Sequence, residues 1–134
     1  MKLSRKLTGA RIAIIEDDTL LRESLALFLR ARGCQVNAFG SAEDAGRTGN
    51  LDGYDAVISD YLLPGENGIS VLRRARESSE NLVTILITAY AKADLAEEMR
   101  RAGIDAFLPK PFSTEELESA LQRMIDTKKV ADRW

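Results

Sequence analysis

Residues 11–18 read RIAIIEDD and residues 55–60 read DAVISD; in each, an unbroken apolar run (12–15, 56–58) gives way to acids. Apolar residues that follow one another rather than alternate mark strands covered on both faces, as in a parallel sheet between helical layers. Two further runs, 82–87 and 106–108, have the same character. A fifth, 34–39, alternates more and reads as an edge strand.

Helical spacing fills the intervals. Leu21, Leu25, Phe28 and Leu29 share one face of 19–32, and Leu95, Met99 and Ala102 share one face of 92–102. Ser113 and Glu116 form a capping box that starts the last helix, with Phe112 and Leu117 as its hydrophobic staple and Leu121, Met124 and Ile125 continuing its apolar face. Gly33 and Gly103 stand where a left-handed helix cap favours glycine, and the stretch 46–53, with three glycines and Asn50, ends the second helix. Five βα units predict an α/β fold: a five-stranded parallel sheet, doubly wound, with right-handed crossovers. A closed barrel of such units needs roughly 250 residues. Residues 10–126 are expected to form the domain. The charged ends, 1–9 and 127–134, read as tails, with Trp134 at the end of the second.

Composition narrows the chemistry. A chain of 134 residues, 45% hydrophobic and 30% charged, suits one globular domain. Its net charge of -2 gives no reason to expect direct nucleic-acid binding. The absence of histidine removes Ser-His-Asp and Cys-His schemes, His-ligated metals and any phosphohistidine of its own. The lone Cys34 offers no disulfide or CxxC pair and reads as a packing residue in a reducing compartment. No export signal and no membrane span is read, so the expected location is the cytoplasm.

In open sheets of this kind ligands bind beyond the carboxyl ends of the strands. There the chain puts Glu16, Asp17 and Asp18, then Asp60, then Thr88, then Lys110 and Pro111. With strand order 2-1-3-4-5, the first and third strands lie about 4.8 Å apart, which brings Asp17 and Asp60 within reach of one ion. Two carboxylates about 4 Å apart repel by roughly 4 kcal/mol at an effective dielectric near 20, and Glu16 adds to this. Hard oxygen ligands without His or Cys call for Mg²⁺, with Mn²⁺ as an alternative. Such an ion, with a hydroxyl from Thr88 and an ammonium from Lys110, suits phosphoryl transfer with Asp60 as nucleophile.

Four segments, IIEDD (14–18), DAVISDYLLPGENGI (55–69), Thr88-Ala89 and FLPKPF (107–112), together resemble the receiver domain of bacterial two-component response regulators, over roughly residues 10–126. The resemblance implies a flavodoxin-like fold, Asp60 as phosphoacceptor and Asp17 as direct metal ligand. It also implies Glu16 holding Mg²⁺ through water and the Leu62 carbonyl completing the ligands. Thr88 and Lys110 would contact the phosphoryl oxygens, Phe107 would be the switching aromatic, and Lys110-Pro111 would be cis. The implied partner is a sensor histidine kinase or histidine phosphotransfer protein. The implied output surface, open to homodimerisation, is the fourth and fifth helices with the strand between them. Glu16 and Phe107 replace the commoner Asp and Tyr. The bulky Leu62 and Tyr90 restrict attacking water, which predicts slow self-dephosphorylation.

Blander readings stand beside these. Asp18 reads as an N-cap, Phe107 and Phe112 suit a core, and Arg73-Arg74 and Arg100-Arg101 suit solvated helix faces. Rival functions are a haloacid-dehalogenase-like phosphatase, which would place its nucleophile at the end of the first strand and leave Asp60 idle, and a receiver-like binding module without phosphorylation. A flavin-binding role is weaker, since acids stand where a phosphate-cradling loop is needed.

Overall fold

The computed structural model describes residues 7–47, 51, 53–90 and 92–132, with backbone alone from 129. In chain order the elements are β1 Arg11–Ile15, α1 Thr19–Ala31, β2 Gln35–Phe39, α2 Ala42–Arg47, β3 Ala56–Asp60, β4 Leu62–Leu63, β5 Glu66–Asn67, α3 Gly68–Ser78, β6 Val83–Thr88, α4 Leu95–Ala102, β7 Ala106–Pro109 and α5 Thr114–Asp132. The main sheet runs β2-β1-β3-β6-β7, with every pairing parallel. Apart from the small antiparallel hairpin β4-β5, this is the expected order 2-1-3-4-5.

The consecutive apolar runs feed two cores because successive strand side chains point to opposite faces. Ile12, Ile14, Ile58, Ile85 and Ile87 meet Leu25 and Leu29 of α1 and Leu117 and Leu121 of α5 on one side. Ala13, Ile15, Val57 and Leu86 meet Leu72 of α3 and Leu95 of α4 on the other. Each fully buried Leu or Ile contributes about 1.5–3 kcal/mol by leaving water. No helix among the described residues is long and apolar enough to cross a membrane.

The end signals act as read. Asp18 Oδ1 accepts from the Leu21 N–H at 3.1 Å, capping α1. The Ser113 and Glu116 box is reciprocal, at 2.8 and 3.0 Å. Gly103 caps α4 at φ 76°.

Elsewhere the molecule departs from the sequence reading. The 106–108 run, expected to be covered on both faces, is an edge strand in which only Leu108 is buried, because among the described residues β7 pairs with β6 alone. Helix α5 continues past residue 126 to Asp132 instead of ending in a tail; Lys128 Nζ reaches the Glu80 carbonyl at 3.3 Å and lies 3.4 Å from Asp105 Oδ1, which ties the extra turns to the body. Leu7, placed in the N-terminal tail, is fully buried, and its carbonyl accepts from the Cys34 thiol at 3.4 Å. Cys34 is a buried packing residue, and burial, with help from Glu118 and Asp55, pushes its thiol up. Residues 1–6, Asn50 and Trp134 lie outside the described residues.

Candidate functional site

Register builds the site. Ile15 pairs with Ser59 and Asp60 with Ile87, so Glu16, Asp60 and Thr88 leave three adjacent strands at one edge. Thr88 pairs with Pro109, which delivers Lys110 beside them. One carboxylate oxygen each from Glu16, Asp17 and Asp60 lies within 4.8 Å of the others. Glu16 is 0% exposed and Asp60 7%, while Asp17 faces solvent, so the cluster is deep on one side and open on the other.

Lys110 Nζ stands 2.9 Å from Glu16 Oε1 and 3.1 Å from Asp60 Oδ2. It donates a hydrogen bond to Asp60, but its approach to Glu16 Oε1 lacks hydrogen-bond alignment, which leaves that fully buried oxygen without a hydrogen-bond partner. Glu16 Oε2 accepts from the Asp18 N–H at 3.1 Å. Burial pushes the Glu16 carboxyl up, the Asp18 N–H and Lys110 oppose this, and the Asp60 charge adds to it. For Lys110, burial works to lower the ammonium, but Glu16 and Asp60 outweigh it and hold the group above its ordinary value.

Three carboxylates against one ammonium leave two negative charges when all are ionised, and a divalent cation balances them. The all-oxygen donor set, with buried Glu16 Oε1 met by the Lys110 ammonium alone and not by an aligned hydrogen bond, fits Mg²⁺ or Mn²⁺. Thr88 is buried at 1% exposure, and its Oγ1 accepts from the Tyr90 N–H at 2.9 Å. Leu62 and Tyr90 flank this edge and are 48% and 58% exposed. Phe107 is half-buried on β7 against the second core. The Lys110-Pro111 bond is cis.

Gly68 was not singled out by sequence reasoning, yet it shapes the site. An ideal Cβ there would fall 2.0 Å from the Asp60 carbonyl oxygen and 3.0 Å from Ser59 Oγ. The Gly68 N–H donates to the Tyr61 carbonyl at 2.7 Å, and Asn67 caps α3 by accepting from Ser70 N–H at 2.9 Å. The loop after Asp60 thus closes back onto its own strand end. Gly68→Ala is expected to lower stability by about 1–3 kcal/mol, since the crowding partner is backbone that cannot swing away. Urea titration reads this, and an unchanged midpoint contradicts the close approach.

This doubly wound sheet, with an acid pocket and a lysine at its carboxyl edge, has the construction of a signalling receiver. Residues 12–122 match the family model of the response regulator receiver domain, and the chain belongs to that family. Over 115 residues it is 34% identical to the virulence transcriptional regulatory protein PhoP of Salmonella typhimurium, covering 86% of this chain and 51% of that protein. It is 31% identical over 115 residues to the transcriptional activator protein PfeR of Pseudomonas aeruginosa, covering 86% of this chain and 37% of that one. The chain therefore spans about half, or less, of the length of these curated relatives. Among solved structures, the non-phosphorylated HemR receiver domain from Leptospira biflexa matches with a TM-score of 0.80 at 28% identity, covering 87% of this chain and 94% of that one. A response regulator receiver domain protein from Clostridium thermocellum matches with a TM-score of 0.82 at 26% identity, covering 91% and 98%. A CheY-like receiver domain protein from Methanospirillum hungatei JF-1 shares the fold with a TM-score of 0.86 at 23% identity, covering 92% and 99%. The family assignment leaves the dehalogenase-like phosphatase reading without support, since Asp60, idle in that scheme, sits inside the cluster.

Proposed function

We propose that this receiver accepts a phosphoryl group from a partner phosphohistidine onto the carboxylate of Asp60. The observation that carries this reading is the convergence of Glu16, Asp17 and Asp60 within 4.8 Å, with Lys110 3.1 Å from Asp60. Asp17 and Asp60, the Leu62 carbonyl and, through water, Glu16 would hold Mg²⁺, which when bound neutralises charge on the phosphoryl oxygens.

A carboxylate oxygen of Asp60 attacks phosphorus as the partner's P–N bond breaks, and the departing imidazole keeps the electron pair and takes a proton from water. The product is an acyl phosphate. Lys110, already beside Asp60, pairs with the new dianion, and Thr88 turns toward it, donating its hydroxyl hydrogen to a phosphoryl oxygen and drawing its own oxygen away from the Tyr90 N–H it accepts from. That exchange loosens the loop after β6 and changes the surface of α4, β7 and α5, which is the proposed output and homodimer face. The self-phosphorylation and self-dephosphorylation belong to this one aspartate, with no external substrate turned over.

The folded unit is proposed to run from buried Leu7 through the end of α5 at Asp132, wider than the 10–126 expected from sequence. The partner is a sensor histidine kinase or histidine phosphotransfer protein, and the proposed compartment is the cytoplasm, in keeping with the single free thiol. The names of PhoP and PfeR speak of transcription; in a parent protein of that kind, nucleic-acid contacts would belong to a separate output module.

Incubation of the chain with acetyl phosphate and Mg²⁺, followed by intact mass and borohydride trapping, tests the proposal. One added phosphoryl mass, trapped at Asp60, supports it. No gain leaves the binding-module reading in its place.

The phosphorylated form is expected to be long-lived, with a half-life of minutes or more, because Leu62 and Tyr90 crowd the approach of water. Tyr90→Ala combined with Leu62→Asn should speed hydrolysis roughly tenfold, a barrier change of about 1.4 kcal/mol. A wild-type half-life of seconds, or no acceleration in the double variant, contradicts the crowding.

A further inference from the structure

The segment carrying Glu16 and Asp17 is a short loop between β1 and α1, and a side chain outside the acid cluster grips it. Arg22, half-buried on α1, donates from Nη1 to the Glu16 backbone carbonyl at 2.8 Å. Its own backbone N–H donates to the Asp18 carbonyl at 2.9 Å as the first helical bond of α1, so the side chain that holds the Glu16 carbonyl projects from a fixed helical turn. The guanidinium is seated against Gly40, just after β2. An ideal Cβ on Gly40 would come 3.1 Å from Arg22 Nη1 and 3.6 Å from Cζ, so the missing side chain leaves the space the guanidinium occupies. The Glu16 N–H donates to the Phe39 carbonyl at 3.0 Å, so both sides of the Glu16 residue are pinned near one corner of the sheet.

We propose that Arg22, seated by Gly40, is a positioning residue for divalent cation binding: by fixing the Glu16 carbonyl it sets the direction in which the Glu16 and Asp17 side chains leave the chain. This rests on the acid cluster being a cation site, as argued above. A fixed loop binds the ion without first having to be ordered, which is how outer groups tune metal affinity. A second effect opposes this, because a guanidinium adds positive charge near a site for a cation. The two effects predict opposite signs on removal. Ordering dominates here, because the bond is short and charge-assisted and its acceptor belongs to a fully buried residue.

The test is a Mg²⁺ titration by calorimetry of the whole chain, wild type beside Arg22→Met and Gly40→Ala, with melting midpoints taken without Mg²⁺. Arg22→Met keeps much of the apolar stem and loses the donor; Gly40→Ala leaves the arginine intact and unseats it. Both should weaken Mg²⁺ binding, Arg22→Met by about tenfold and Gly40→Ala by less. In phosphorylation from acetyl phosphate, the Mg²⁺ concentration for half-maximal rate should rise in step, with the rate at saturating Mg²⁺ changing less than about twofold. Unchanged or tighter Mg²⁺ binding in both variants, including the case where only the melting midpoint falls, overturns the role of Arg22. A wild type that binds no Mg²⁺ overturns the cation site itself and this role with it.

Discussion

Asp60→Asn is expected to take up no phosphoryl group from acetyl phosphate under conditions that label the wild type fully. An amide oxygen is a far weaker nucleophile than a carboxylate, and no second acid among the described residues shares the position of Asp60 at the end of the central strand β3, flanked by β1 and β6. The same substitution should raise stability in the absence of divalent cations. Asp60 faces two carboxylates, Glu16 and Asp17, and one ammonium, Lys110 at 3.1 Å. Removing its charge relieves two repulsions and loses one attraction. The charge terms nearly cancel, because the 3.1 Å attraction is stronger than either repulsion and exposed Asp17 is screened, so the gain, at most about 1 kcal/mol, comes with relief of the cost of burying the Asp60 charge. Added Mg²⁺ should then stabilise the wild type more than the variant. Thermal melting with and without Mg²⁺ reads all of this, and a destabilised Asp60→Asn in chelator means the attraction to Lys110 outweighs the repulsions and the burial cost together.

Asp17→Ala is the second large effect, and it separates metal holding from nucleophilicity. Asp17 is the exposed member of the cluster, while Glu16 and Asp60 are buried and near Lys110. It makes the cluster accessible to an ion from solvent, and its loss leaves Asp60 in place but with a weakened cation site. The phosphorylation rate at about 1 mM Mg²⁺ should fall by roughly 10²–10³, equivalent to about 3–4 kcal/mol of transition-state charge stabilisation. Chelating Mg²⁺ from the wild type should produce a loss at least as large, and chelator should have little further effect on the variant. A rate within about threefold of wild type would mean that Asp17 does not hold the ion.

The fold was legible in the sequence where a single local cause acted. Runs 12–15, 56–58 and 82–87 could be read as central strands because both of their faces need cover, and the acids and Thr88 at their ends follow from chain order. Ser113, Glu116, Asp18 and Gly103 announce helix ends by chemistry that operates within four residues.

What escaped reading depends on partners distant in sequence or on supply of neighbours. Nothing in the run 106–108 says that its strand pairs, among the described residues, with one neighbour instead of two. The length of α5 is supported by Lys128 meeting Glu80 and Asp105, residues far away in the chain. Gly68 opens α3 just after a loop already marked by Pro64 and Gly65, so a further glycine there looks ordinary until the approach of Asp60 backbone is seen. Arg22 looks like any charged residue on a surface helix; the loop folding back under it makes it a clamp.

Crystals of the chain soaked in Mn²⁺, an anomalous scatterer that substitutes for Mg²⁺ at oxygen sites, test the core idea directly. The prediction is one strong anomalous peak in bonding distance of Asp17 and Asp60 oxygens, with Glu16 reaching it directly or through one water and Lys110 swung aside from Glu16. A pocket without a peak at millimolar Mn²⁺, with Lys110 still lodged between Glu16 and Asp60, would contradict it.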